Sequence, residues 1–263
     1  MAVDRDRVVA VRAAIAEQAR LDGMPVSVVH VCRAAVQLTG AEGAGVSTIS
    51  SRSGMFEPVQ VTGPLGEALS ELQVTLGEGP GVTALAQDRP VLVPDLDTAG
   101  TQHRWPLFAS GAMLAGAGAM FALPLMAGKI AVGVLEIYRS VAGWLSEREL
   151  TDGLLLADAA LLQLVTDATA EQTGPLPPAA GPDADAFMDR WPQVHQATGM
   201  VSVQLDTDLA SAFLRLRARA FADGRGLREV ADDVVARRLR FTPDPDPPDS
   251  PPAAGPAVPE PDL

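Results

Sequence analysis

The chain has 263 residues, 47% of them apolar, and a formal net charge of −13, which excludes disorder along its whole length and a surface that coats nucleic acid everywhere. Cys32 is the single cysteine and the histidines, His30, His103 and His195, are scattered, which excludes a disulfide scaffold and leaves no ligand set for a zinc cluster. Charge is uneven: residues 191–241 carry eight basic and six acidic groups and form the one positive stretch, with acidic segments on both sides.

In chain order, residues 4–21 predict an amphipathic helix, with Val8, Val11, Ile15 and Ala19 at steps of three and four. Its scattered charges lack the apolar core of a signal peptide, so the expected location is the cytoplasm. Pro25 opens a second helix that Gly40 ends, with Cys32 in its core. GVSTIS and FEPVQVTG predict strands; Leu65 to Leu72 reads as helix, as does the stretch through Val82, Ala84 and Leu85. RPVLVPDL predicts a strand closed by Pro94, and His103 and Trp105 fall on the following loop. The run from Trp105 to Gly128 carries no charge, but its prolines and glycines divide it into a short helix and a buried strand instead of a membrane span. FALPLM and AVGVLEIYR predict a hairpin. Ser146 with Glu149 forms a capping box for a long helix through Leu150, Leu154, Ala157, Leu161 and Leu164. Residues 171–189 read as a Pro-rich linker, residues 190–241 as helical, and residues 242–263, with nine prolines and five acids, as a disordered tail. Its acids predict a fold-back onto the preceding arginines.

LTGAEGAGVSTIS, LGEGPGVTALAQDRPVLVPDL, RWPLFA, FALPLMAGKIAVGVLEIYR and the helix opening LSEREL carry a resemblance over residues 25–170. This segment resembles a GAF domain, with residues 1–24 as a preceding helix. The resemblance implies a six-stranded antiparallel sheet, helices behind it and a small-molecule pocket on the other face. The residues themselves name no ligand, and no cofactor is evident. Gly77, Gly79 and Gly81 suit a sharp loop-to-helix turn; no Gly-Lys-Ser/Thr follows to make a phosphate loop.

In residues 190–241, Ala197, Gly199 and Met200 are followed by Ala212, Phe213, Leu216, Arg217 and Ala220, then by Arg225, Leu227, Val230 and Ala231. This pattern resembles an ANTAR domain, the three-helix RNA-binding module of bacterial antiterminators. The resemblance implies a target of paired hairpins with hexanucleotide loops in nascent leader RNA. It assigns contacts to Gln196, Thr198, Arg215, Arg217, Arg225 and Arg228. The family often has lysine where this chain has Thr198, which removes a phosphate contact. From spacing alone, Leu209, Phe213, Leu216 and Ala220 make one buried stripe, and Leu227, Val230, Val234 and Val235 another. Arginine suits RNA because its planar fork grips phosphate and stacks on unpaired bases. The alternative is a solvated face in which these arginines pair with Asp223, Glu229, Asp232 and Asp233.

The expected architecture is α+β: a GAF-like antiparallel sheet with flanking helices, then a small three-helix all-α domain. The expected function is a signal-responsive antitermination regulator that senses through the first domain and binds RNA through the second, as a homodimer. No Ser/His/Asp or Cys/His set and no dinucleotide fingerprint points to an enzyme. The alternative is a signalling adaptor whose helical tail binds a protein partner.

Overall fold

A computed structural model describes residues 5–49, 55–173 and 191–242. Helix α1 (Arg5–Asp22) buries Val11, Ile15 and Ala19, the stripe its spacing predicts. Helix α2 (Val28–Thr39) starts three residues after Pro25, because Ser27 is the extended cap residue and its amide donates to His30 Nδ1 at 3.0 Å. Gly40 ends it at φ 61°.

Five strands form one antiparallel sheet: β1 (Gly43–Ile49), β2 (Phe56–Val61), β3 (Val91–Val93), β4 (Ala119–Ala127) and β5 (Ile130–Arg139), in the order β2-β1-β5-β4-β3. The resemblance implied six strands; among the described residues there are five. Successive side chains of a strand face opposite ways, and both faces here are covered. Leu135 and Ile137 of β5, with Phe121, Leu123 and Leu125 of β4, pack under α1, α2 and α7 (Glu147–Thr173). Val134 and Tyr138, with Met120 and Ala122, pack under α3 (Gly63–Leu76), α4 (Pro80–Gln87) and α6 (Pro106–Leu114). A sheet covered on both faces explains why β4 is an apolar run rather than an alternating one.

The uncharged run is divided as expected, into α6 and β4, and no helix of the described residues is long and apolar enough to cross a membrane. His103 and Trp105 are not on an open loop. His103 is exposed near the end of the short helix α5 (Ala99–Arg104). Trp105 is buried, and its Nε1 donates to Thr83 Oγ1 at 2.9 Å. The predicted box at Ser146 is present: the Ser146 amide donates to Glu149 Oε2 at 2.7 Å and the Glu149 amide to Ser146 Oγ at 3.2 Å. Helix α7 runs to Thr173, into the segment predicted as linker. The rest of that linker and the predicted tail from residue 243 lie outside the described residues.

Three more helices follow among the described residues: α8 (Pro192–Leu205), α9 (Leu209–Asp223) and α10 (Leu227–Val235). They bury Ala197, Ala212, Phe213, Leu216, Ala220, Leu227, Val230 and Ala231 against one another, whereas Gly199 and Met200 are partly covered. Leu209, predicted inside, is 41% exposed; it is the first residue of α9. The bundle's core is continuous with the α3 side of the sheet, through Met55, Phe56, Val74, Trp191, Val194 and Phe213.

An ion pair ties helix α1 to α7. Asp152, 1% exposed, accepts from Arg7, with Nε at 2.9 Å from Oδ1. Removing one partner of a buried pair leaves the other charge in a poor solvent. Asp152→Ala should therefore cost roughly 3 kcal/mol in urea unfolding, and hydrogen exchange should show the loss first in α1.

Candidate functional site

The glycine-rich loop organises three helices. Gly77 ends α3 at φ 66°. Glu78 turns onto the start of α6, where its Oε1 accepts from the amides of Leu107 and Phe108 at 2.9 and 2.8 Å. Gly79 caps α4 and Pro80 takes its first position. Gly81 lies against the sheet: a Cβ there would stand 2.1 Å from Glu136 Oε1. Glu136, fully buried on β5, accepts from Gln73 Nε2 at 2.5 Å and from Ser47 Oγ and Tyr138 OH at 3.1 Å each. Gln73 Oε1 in turn accepts from the Gly81 amide at 2.8 Å. Burial raises the Glu136 carboxyl to about 7 against the pull of its three donors. Burial, with the Glu136 charge beside it, also pushes the Tyr138 hydroxyl well up. This network joins α3, α4, β1 and β5 on the face where the resemblance places a small-molecule pocket.

The second site is the surface where the bundle meets α3. Arg217 Nε donates to the Thr75 carbonyl at 2.9 Å. Its guanidinium fills the space where a Cβ on residue 77 would lie, 2.0 Å from Nη2. Loss of solvent lowers the Arg217 pKa from its usual range. Arg228 Nη2 is 3.3 Å from Glu67 Oε2, and its guanidinium stacks 4.7 Å over the Trp191 ring. The Arg228 amide points at Glu71 Oε1, 3.4 Å away. Three other bundle arginines pair with carboxylates of the bundle: Arg225 with Asp233 at 2.8 Å and Glu229 at 3.4 Å, Arg219 with Asp223 at 2.7 Å, and Arg238 with Asp233 at 2.6 Å. Donating to Asp233 raises the Arg225 pKa, and accepting that bond lowers that of Asp233.

The model of the GAF domain family matches residues 28–174. The chain belongs to the GAF domain family. The match ends before α8, so the bundle lies outside it. The GAF domain of a phosphoenolpyruvate-protein phosphotransferase from Acinetobacter is 14% identical, covering 66% of this chain and 99% of its own, with a TM-score of 0.47. The GAF-B domain of DevS from Mycobacterium smegmatis is 19% identical over 56% of this chain and 96% of its own, with a TM-score of 0.41. A domain of a two-component sensor histidine kinase protein from Sinorhizobium meliloti is 16% identical over 55% and 93%, with a TM-score of 0.43. No curated protein matches the chain.

The residues predicted to meet RNA differ in exposure. Gln196 and Arg215 are exposed, Arg225 is half-exposed, and Arg217 and Arg228 are partly covered by α3. Thr198 is placed in the bundle core, 2% exposed, with its hydroxyl donating to the Val194 carbonyl at 2.7 Å. A β-branched residue with a short hydroxyl satisfies itself on its own helix where a lysine would reach out. Glu67, Glu71 and Thr75 are the partners that sequence reasoning missed. They recur on α3 at steps of four, a spacing that marks one face but not what the face meets.

A carboxyl titrating near 7 makes stability depend on pH. The native state holds its Glu136 proton more tightly than the unfolded chain, so this contribution is full below the ordinary glutamate range and is lost as pH rises through about 7. Glu136→Gln keeps the shape of the protonated form. In urea unfolding it should be more stable than wild type by about 2 kcal/mol at pH 8 and equal to it near pH 5.

Proposed function

We propose that the chain is a sensor–effector regulator: the GAF domain receives a signal, and the C-terminal bundle is the effector, binding paired hexanucleotide loops of nascent leader RNA to prevent termination. The observation that carries this reading is the contact itself. Arg217 and Arg228, two of the residues the ANTAR resemblance assigns to RNA, are engaged by Thr75 and Glu67 of the GAF domain. A guanidinium bonded to α3 is withheld from phosphate, so RNA and the GAF domain compete for the same groups. Signal-dependent release of the bundle then follows from differential affinity of the two states. Gln196, Arg215 and Arg225 are the accessible candidates for contact; Thr198 acts only in the core.

Two linked loops call for two bundles, since tethering raises the effective concentration of the second contact. Val9 and Leu21 on α1 and Leu162 on α7 are more than 60% exposed, and these helices are the proposed homodimer surface. In this reading the protein acts in the cytoplasm.

A second reading has its own support. The pairing of Arg225, Arg219 and Arg238 with carboxylates of the bundle matches a solvated face, and Leu214 and Phe221 on α9 are more than half exposed. These fit an adaptor whose bundle binds a protein.

Binding of the full chain to a two-hairpin RNA, beside one-hairpin RNA and duplex DNA, separates the two. Expected are a preference for the paired loops, an affinity that falls with salt, a loss of about tenfold in Arg225→Ala, and a gain in the double variant Glu67→Gln/Glu71→Gln, which weakens the hold on Arg228. No preference for the paired loops in either wild type or the double variant would leave the protein-partner reading.

A further inference from the structure

Between the β2 edge of the sheet, the end of α7 and the start of the bundle lies a cavity of about 390 Å³, within the roughly 300–1,000 Å³ of small-molecule pockets. It is apart from the Glu136 network, which sits beneath α3 and α4. Its walls are apolar: Phe56 and Val74 from the GAF domain, Leu161 and Leu164 from α7, Val194 and Phe213 from the bundle. Two residues of this wall each carry a buried polar atom without a partner. Asp167 Oδ1 accepts from Gln163 Nε2 at 2.7 Å, but its buried Oδ2 accepts from nothing. Trp191, 5% exposed, has a buried Nε1–H that donates to nothing. At the rim, His195 Nε2 and Glu57 Oε1 stand 3.8 Å apart. A buried acceptor and a buried donor left open beside one apolar space cost stability unless something that enters satisfies them.

We infer that this cavity is a binding site for a small uncharged molecule with an apolar body and an amide or lactam head. Once these two covered atoms turn toward the cavity, the N–H of the head donates to Asp167 Oδ2 and its carbonyl accepts from Trp191 Nε1, and its hydrocarbon part lies among Phe56, Leu164 and Phe213. An ester of the same shape supplies the acceptor but not the donor, so it leaves Asp167 open. Because both the GAF domain and the bundle line the cavity, an occupant holds the two together. Trp191 carries this to the docked face directly, since the same ring stacks under Arg228. The site stands independently of the RNA reading; only its consequence for RNA rests on it.

The test is calorimetric titration of the full chain with N-hexylacetamide and with ε-caprolactam, which present the amide in its trans and cis forms, and with hexyl acetate as the control. At least one amide should bind saturably at one site, and hexyl acetate should bind at least about tenfold more weakly than N-hexylacetamide if that is the amide taken. Trp191→Phe, which keeps the ring and removes the donor, should weaken the bound amide by about tenfold, as should Asp167→Ala. No saturable binding of either amide overturns the site. So does equal binding of amide and ester on the wild-type chain, a comparison that needs no variant to fold. Amide binding that leaves RNA affinity unchanged keeps the site and overturns its coupling to the bundle. Amide binding with no RNA binding under any condition keeps the site and overturns the RNA reading.

Discussion

Gly77 stands where three requirements meet. Helix α3 must end in a left-handed residue, φ 66° here, which costs a side chain roughly 1–2 kcal/mol. Glu78 must then turn back to cap α6. Arg217 must lie where a β-carbon would be, 2.0 Å from its Nη2. The first two requirements belong to the GAF domain alone, and the third ties that domain to the bundle. A residue that shapes a turn within one domain thereby also makes the socket for a charged side chain from another. The apolar seam of Met55, Phe56 and Val74 with Phe213 also joins the two, but it has no directional preference. The Arg217 bond to the Thr75 carbonyl has one, and so selects a single seating of the bundle on the seam.

The Glu136 network has a related logic. An unpaired carboxyl in the core would be far more costly than one with three donors, yet the donors do not cancel the cost of burial, as the raised pKa records. The group is held at the balance between its two forms near neutrality. Its partners come from three elements, α3, β1 and β5, so a change in its charge is felt by α3 through Gln73 and, one bond further on, by α4 through the Gly81 amide that donates to Gln73. Helix α3 is also the helix that holds Arg217 and Arg228. The face of the sheet expected to receive a ligand and the docked bundle therefore share one rigid element.

Much of the fold was legible because its signals are local. The Ser146–Glu149 box, the αL glycines at 40 and 77 and the α1 stripe act over one or two turns, and each is where the spacing puts it. Trp105 was misplaced because a single aromatic beside two charged or polar residues carries no period; its burial depends on Thr83, twenty-two residues earlier. Glu136 reads as the polar member of an alternating strand, which normally means solvent. Only the second layer of helices turns that position into core. The candidate interface was half legible. Helical spacing separates the bundle's apolar stripe from its arginines, but the pairing of Arg228 with Glu67 spans 161 positions, and no periodicity reports such a contact.

That pairing also accounts for a charge balance that is otherwise puzzling. The bundle is only weakly positive in an acidic chain, a poor basis for attracting a polyanion from a distance. Within the bundle Asp233 pairs with Arg225 and Arg238, and Asp223 with Arg219; the contact with α3 adds Glu67 on Arg228. Most of these pairs are exposed, and exposed pairs contribute little stability and yield to competitors. Arg217 differs, being partly desolvated and bonded to a backbone carbonyl, so its release requires moving the bundle off α3 rather than exchanging one surface anion for another. On the proposed RNA reading a modest positive charge is an advantage: distant attraction is weak, so binding would depend on whether the bundle is docked, and docking would be set by its contact with the GAF domain.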